Sequence, residues 1–144
     1  MDEETKKQLF KKGDGILCAF AVFVKEGKIL LGLRNYTRDK WKDVSVWTIP
    51  GGRSSEGEVI LDVLKREVFE EVGISDFEIL DFLGEFQGSK EGDECLLFLC
   101  DTKDEPKLME PEKFSEWKWF DADSFPENYV NSSQREAIIN SMLK

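Results

Sequence analysis

A layered α/β domain is the fold class that the sequence predicts. Two apolar runs, 16–24 and 28–34, are nearly continuous rather than alternating, as in strands covered on both faces. Between residues 61 and 72 the period changes, and Leu61, Leu64, Val68 and Val72 form the i, i+3, i+7, i+11 stripe of an amphipathic helix. With 144 residues, 40% hydrophobic and 35% charged, the chain has room for one good core, so residues 1–144 are expected to form a single domain.

Residues 1–13 are charged and then punctuated by glycine, which reads as a loose arm or one helical turn around Leu9 and Phe10. The two apolar runs flank Lys25-Glu26-Gly27 at the spacing of a β-hairpin, with Arg34 at the end of the second. From 35 to 46 the chain is polar and unusually basic. Arg38 and Lys40 there suit phosphates and Trp41 or Tyr36 suits stacking on a base, although such side chains also serve as plain solvated loop residues.

Residues 47–50 read as a short strand leading to Pro50-Gly51-Gly52. After it comes a turn-rich loop carrying Arg53, whose backbone can approach a ligand closely. Gly73 stops the helix. Strands are predicted at 77–86, 94–100 and 117–120, with an acidic, proline-containing loop at 103–113. Asn131-Ser132-Ser133 caps a closing helix whose buried side is Ala137, Ile138 and Met142.

Thirty acidic against 20 basic residues give a formal charge of −10, which argues against a nucleic-acid polymer or an anionic membrane as partner. A phosphorylated small molecule would be repelled too, unless a divalent cation neutralises the site. Three cysteines without a C-x-x-C pair fit a reducing cytoplasm and read as small buried hydrophobes. The first residues lack the apolar core of a signal peptide, and no run reaches the ~18 apolar residues of a membrane span. With no histidine in the chain, His-based acid–base catalysis and His-ligated zinc are excluded.

The chemistry concentrates in Arg66-Glu67-Val68-Phe69-Glu70-Glu71-Val72-Gly73-Ile74. Glu67, Glu70 and Glu71 fall at i, i+3 and i+4, so one helix face carries three carboxylates that repel one another. A bound cation reverses the sign of that interaction, and carboxylate oxygens are the ligands that Mg²⁺ and Mn²⁺ prefer.

Gly52, five residues, Glu58, seven residues, Arg66-Glu67-Val68, one residue, Glu70-Glu71, one residue, Gly73-Ile74 is similar to the Nudix box at every signature position. Two departures lie outside the signature. Ser55 replaces an additional Glu, and Val59-Ile60 replaces a Thr/Ser-Pro helix start, predicting a start that frays or shifts at a cost of ~1 kcal/mol.

The resemblance implies the Nudix fold, an α/β/α sandwich around a mixed sheet with the box as loop–helix–loop. It implies metal-dependent hydrolysis of a nucleoside diphosphate linked to another moiety. Glu67, Glu70, Glu71 and the Gly51 carbonyl would ligate Mg²⁺ or Mn²⁺, with Glu58 supporting them and Arg66 orienting the carboxylates. The general base would be Glu67 or a further acid from the 103–113 loop, where Glu110 and Glu112 are the candidates.

Markers of the ADP-ribose, diadenosine polyphosphate, coenzyme A and NADH subgroups are missing. By elimination the chain looks most like the MutT-type nucleoside triphosphate pyrophosphohydrolases. An ADP-ribose or nucleotide-sugar pyrophosphatase and a non-catalytic binding module are the alternatives. MutT-type proteins place a base-reading asparagine between the last strand and helix, which nominates Asn128 and Asn131, although a turn and an N-cap explain these equally well. Arg34, Arg38, Lys40, Trp41 and Arg53 complete the candidate substrate-binding set. A monomer or homodimer is expected.

Overall fold

In the structure, a computed structural model that describes residues 1–35, 45–88 and 92–143, the two apolar runs become β1 (Leu17–Lys25) and β2 (Lys28–Arg34). They form the predicted antiparallel hairpin, with Lys25 opposite Lys28. Around it lie β3 (Val46–Thr48), β4 (Gly51–Arg53), β5 (Glu78–Gln87), β6 (Glu94–Asp101) and β7 (Phe114–Asp121). The sheet runs β3-β2-β1-β6-β5, with β4 added to β1 and β7 to β2. It is mixed because β1 and β6 run parallel while the other pairs are antiparallel.

Both faces are covered, as continuous apolarity in β1 requires. Ala19, Ala21 and Phe23 face α2 (Ile60–Val72), where Ile60, Val63, Leu64, Val68 and Val72 are fully buried. Cys18 and Val22 face the other way, into a second cluster with Ile138 and Met142 of α3 (Ser132–Met142). The predicted α/β/α sandwich is therefore the observed architecture.

Three local differences have physical causes. Residues expected as a loose arm or single turn form α1 (Glu3–Leu9), capped by Asp2, which accepts from Thr5 N at 2.7 Å. Leu9 inserts into the core at 1% exposure, while Phe10 stays in solvent. The segment after α1 then bears on the start of α2. Val59 offers no side-chain cap, as its residue type implies, yet the Ile60 N–H donates to the Lys11 carbonyl at 2.9 Å. A distant stretch of backbone thus replaces the missing cap. Finally, Gly51–Arg53, read as turn and loop, is the short strand β4.

Candidate active site

β4 lies against β1, with Gly51 opposite Phe20 and Gly52 opposite Ala19. Gly51 has φ +151°, and a Cβ there would strike the Ala19 carbonyl oxygen and lie 2.6 Å from Phe20 Cα. A Cβ on Gly52 would lie 2.5 Å from the Glu67 carboxyl carbon. Gly51 therefore lets β4 lie close against β1, and Gly52 lets it sit against the acidic face of α2. Gly51 N–H donates to Glu71 Oε1 at 2.8 Å, fixing that carboxylate under the strand.

The three box acids differ in environment. Glu71 is 6% exposed, and its pKa is pushed up to about 8, chiefly by burial. Neighbouring Glu67 and Glu110 add to the rise, while the Gly51 N–H and Arg34 oppose it. Burial also raises Glu67, against the pull of Arg66. Glu70 stands at the rim, half exposed, 3.6 Å from the Arg66 guanidinium.

Arg66 is the staple of the site. Its Nε and Nη2 donate to the two Glu58 oxygens at 2.9 Å each, and Nη1 donates to Glu67 Oε1 at 2.7 Å. Nη2 also reaches the Arg53 carbonyl at 3.3 Å. Glu58, held below its ordinary range by that guanidinium, accepts the Ser55 N–H as well. One cation thus ties the loop before α2 to a carboxylate on α2.

Of the two loop acids, the structure brings Glu110 to the site. Its backbone carbonyl accepts from Lys113 and Phe114 N–H, and this turn carries its carboxylate toward Glu71. Glu110 Oε1 is buried with no hydrogen-bond partner among the described residues, whereas Oε2 lies 3.2 Å from Lys113 Nζ. Glu112 is exposed to solvent. Sequence reasoning missed Lys113, whose ammonium is held above its ordinary range by Glu110 first and by Glu71 and Glu67 as well. The only available signal was its position three residues after a candidate acid.

The substrate-binding candidates divide. Arg34 lines the cavity over the Phe114 ring, with its Nε buried and unpartnered among the described residues. Arg53 also borders the cavity, but its guanidinium is engaged by buried Asp93 at 2.9 and 2.5 Å and by the Gly15 carbonyl. Asn128 is drawn away, donating to the Ser45 carbonyl at 3.0 Å. Asn131 lines the cavity and also caps α3, where its Oδ1 accepts from Ser133 N–H at 3.1 Å, while its Nδ2 donates to the Gln87 carbonyl. Arg38, Lys40, Trp41 and Tyr36 lie outside the described residues.

One cavity of about 240 Å³ is lined by an acid end, Glu67, Glu71, Arg34 and Lys113, whose charges act on one another, and by a far end, Cys18 and Cys95 of the α3-side cluster with Asn131 and Gln134 at α3. The donor set suits a hard divalent cation. Glu67 and Glu110 both oppose ionisation of Glu71, Glu110 keeps an oxygen free of hydrogen bonds among the described residues, and the Gly52 cradle leaves no side chain in the way. Among the described residues, no three acids already stand at the mutual spacing of a metal's ligands.

The NUDIX domain family model matches residues 16–140, and the chain belongs to the Nudix family. It is a Nudix hydrolase, an enzyme of the pyrophosphohydrolase type, in a family that generally uses divalent metals. An RNA pyrophosphohydrolase of Bartonella bacilliformis is 27% identical over 85% of this chain and 84% of that protein. The fold is similar to MutT protein from Methanosarcina mazei Go1, with TM-score 0.68 and 22% identity over 90% of this chain and 95% of that one. It is also similar to an ADP-ribose pyrophosphatase from Streptococcus suis, with TM-score 0.69 and 20% identity over 91% and 94%. Neighbours with different substrates share this fold, so the backbone does not select the substrate.

Proposed function

We propose that this chain hydrolyses nucleoside triphosphates to nucleoside monophosphate and pyrophosphate. The observation that carries the reading is the pairing of acids and cations at one site: Glu67 and Glu71 line the cavity beside Arg34 and Lys113, and Glu110 acts on Glu71 and pairs with Lys113. A polyphosphate needs cations along its length, and the acids need a divalent ion between themselves and that chain of phosphates. Glu67, Glu70, Glu71 and the Gly51 carbonyl would hold Mg²⁺ or Mn²⁺. When bound, the ion neutralises phosphate charge and makes water easier to deprotonate.

The chain's own groups do the rest. Arg34 and Lys113 orient the triphosphate, and Arg66 keeps Glu67 aimed. The proton of the attacking water goes to Glu67 or to Glu110. Of these, Glu110 keeps an oxygen with no partner among the described residues, whereas an oxygen of Glu67 is already taken by Arg66. The three free cysteines support a reducing cytoplasmic setting. No helix among the described residues is long and apolar enough to cross a membrane.

A second reading has its own support. The Bartonella relative is named for RNA, and the 5′-triphosphate end of an RNA presents the same phosphate chain. The formal charge of −10 opposes it, because an extended polyanion gains affinity from basic surface. A panel of NTPs, dNTPs, ADP-ribose, a UDP-sugar and a 5′-triphosphorylated RNA, assayed with Mg²⁺ and with excess EDTA, separates the readings. Pyrophosphate and monophosphate from free nucleotides, abolished by EDTA, are expected. Faster release from the RNA would establish the second reading, and full turnover in EDTA would sink both.

A further inference from the structure

We propose that Cys18 and Cys95 form a reversible disulfide in the wall of the substrate cavity, a modification site separate from the hydrolytic machinery. Cys18 of β1 and Cys95 of β6 are register partners in the parallel pair. Neighbouring strands run about 4.8 Å apart, inside the roughly 4.4–6.8 Å Cα separation that a disulfide spans. Both side chains belong to the α3-side cluster, both are 5% exposed, and both border the cavity. A small oxidant entering that cavity meets the two sulfurs together.

The third cysteine serves as an internal control. Cys100 is five positions beyond Cys95, so the two-residue alternation of a strand turns it to the opposite face. It is wholly buried in the α2-side core. The chain therefore holds one facing pair and one bystander. The Cys18 thiol donates to the Ile16 carbonyl at 3.7 Å. The neighbouring Cys95 side chain lowers the Cys18 pKa, with Arg53 also favouring the thiolate, while burial and Asp93 oppose it. Cys95 is pushed up correspondingly, first by that same interaction.

With hydrogen peroxide as oxidant, the Cys18 sulfur attacks one peroxide oxygen, giving a sulfenic acid and one water. The Cys95 thiol then attacks that sulfur, forming the S–S bond and releasing a second water. Two thiols are oxidised by one peroxide, and a dithiol reductant reverses the step by exchange. Closure draws the Cβ atoms to about 3.8 Å where β1 also pairs with β4, since Cys18 lies opposite Arg53. The Arg53–Asp93 clamp sits two residues before Cys95, so the cavity wall shifts with it.

The test treats the whole chain with hydrogen peroxide and reads free thiols, peptide cross-links by mass spectrometry, and nucleotide turnover before and after a dithiol reductant. The chain should lose two of its three thiols, with a Cys18–Cys95 peptide cross-link lighter by two hydrogens. Turnover should fall by at least about 5-fold, because small displacements in a cavity are costly to catalysis, and should return on reduction. Cys100→Ala should behave the same way, while Cys18→Ser and Cys95→Ser should each show a treated-to-untreated ratio near one. Three thiols surviving treatment, a cross-link between two molecules, or unchanged turnover in a fully cross-linked chain would each overturn the proposal. Only the turnover arm rests on the hydrolytic reading. An untreated chain that hydrolyses none of the panel would remove that reading while the thiol and mass measurements still decide the disulfide.

Discussion

The two ends of the cavity are built in different ways. The acid end comes mostly from one contiguous stretch: β4, the loop after it and α2 supply Gly51, Gly52, Glu58, Arg66, Glu67 and Glu71, and Arg66 fastens them together. The far end is assembled from Cys18 on β1, Cys95 on β6 and Asn131 and Gln134 at α3, which meet only after the sheet has formed. A site made from neighbours in sequence carries its chemistry as a motif. One made from strangers carries specificity without leaving a pattern.

The sharpest way to break this comparison is to remove an acid. Glu67→Gln or Glu71→Gln should each lower kcat by at least ~100-fold, as when a positioned ligand or base is lost, with circular dichroism unchanged. Next in size is the staple. Arg66→Ala releases Glu58 and Glu67 together, so titration with Mn²⁺ should show metal affinity weaker by about 10–100-fold. Wild-type affinity in that variant would mean that α2 alone orients its carboxylates.

The fold was legible because β1 and β2 are nearly continuous apolar runs and α2 carries an uninterrupted helical period, and the acid end was legible because its spacing is local. The choice between Glu110 and Glu112 was not, since it depends on the turn that closes from the Glu110 carbonyl to Phe114 N–H. Nor was the fate of Arg53: nothing local in Asp93 announces that it will lie buried against a guanidinium 40 residues earlier. Lys11 capping α2 is hidden for the same reason.

A smaller effect sharpens the electrostatic side. Glu71 has a folded pKa of about 8 against 4.5 for the free side chain, and Glu67 is raised as well. The folded chain thus binds these protons more tightly than the unfolded one. Their contribution to stability is full below 4.5 and is lost as pH rises through about 8. Thermal melts of the metal-free chain should show wild type losing Tm relative to Glu71→Gln across that window. Mg²⁺ should shrink the difference by favouring the ionised form. A gap independent of pH would show that the acid end is more solvated than its geometry implies.

The smallest expected effect lies at the far end. Asn131→Ala should cost about 1 kcal/mol through loss of the α3 cap, and should shift the purine-to-pyrimidine ratio of kcat/KM by about 5-fold if the cavity-lining amide meets the base. Asn128→Ala should leave that ratio alone, because its side chain donates to the Ser45 carbonyl and is not among the residues lining the cavity. Equal ratios in both variants would move base recognition to other residues.

One contact near the amino end reaches beyond catalysis. β5, ten residues long, closes one side of the sheet order, where a bare row of amides and carbonyls invites another chain to add a strand. Thr5 Oγ of α1 accepts the Phe82 N–H at 3.0 Å, and the register with β6 shifts twice, between Ile79 and Asp81 and between Phe82 and Gly84. A plugged amide and a broken ladder make a poor template for edge-to-edge growth. The short helix that supports the core therefore also covers one amide of an edge that the irregular ladder leaves poorly suited to further pairing.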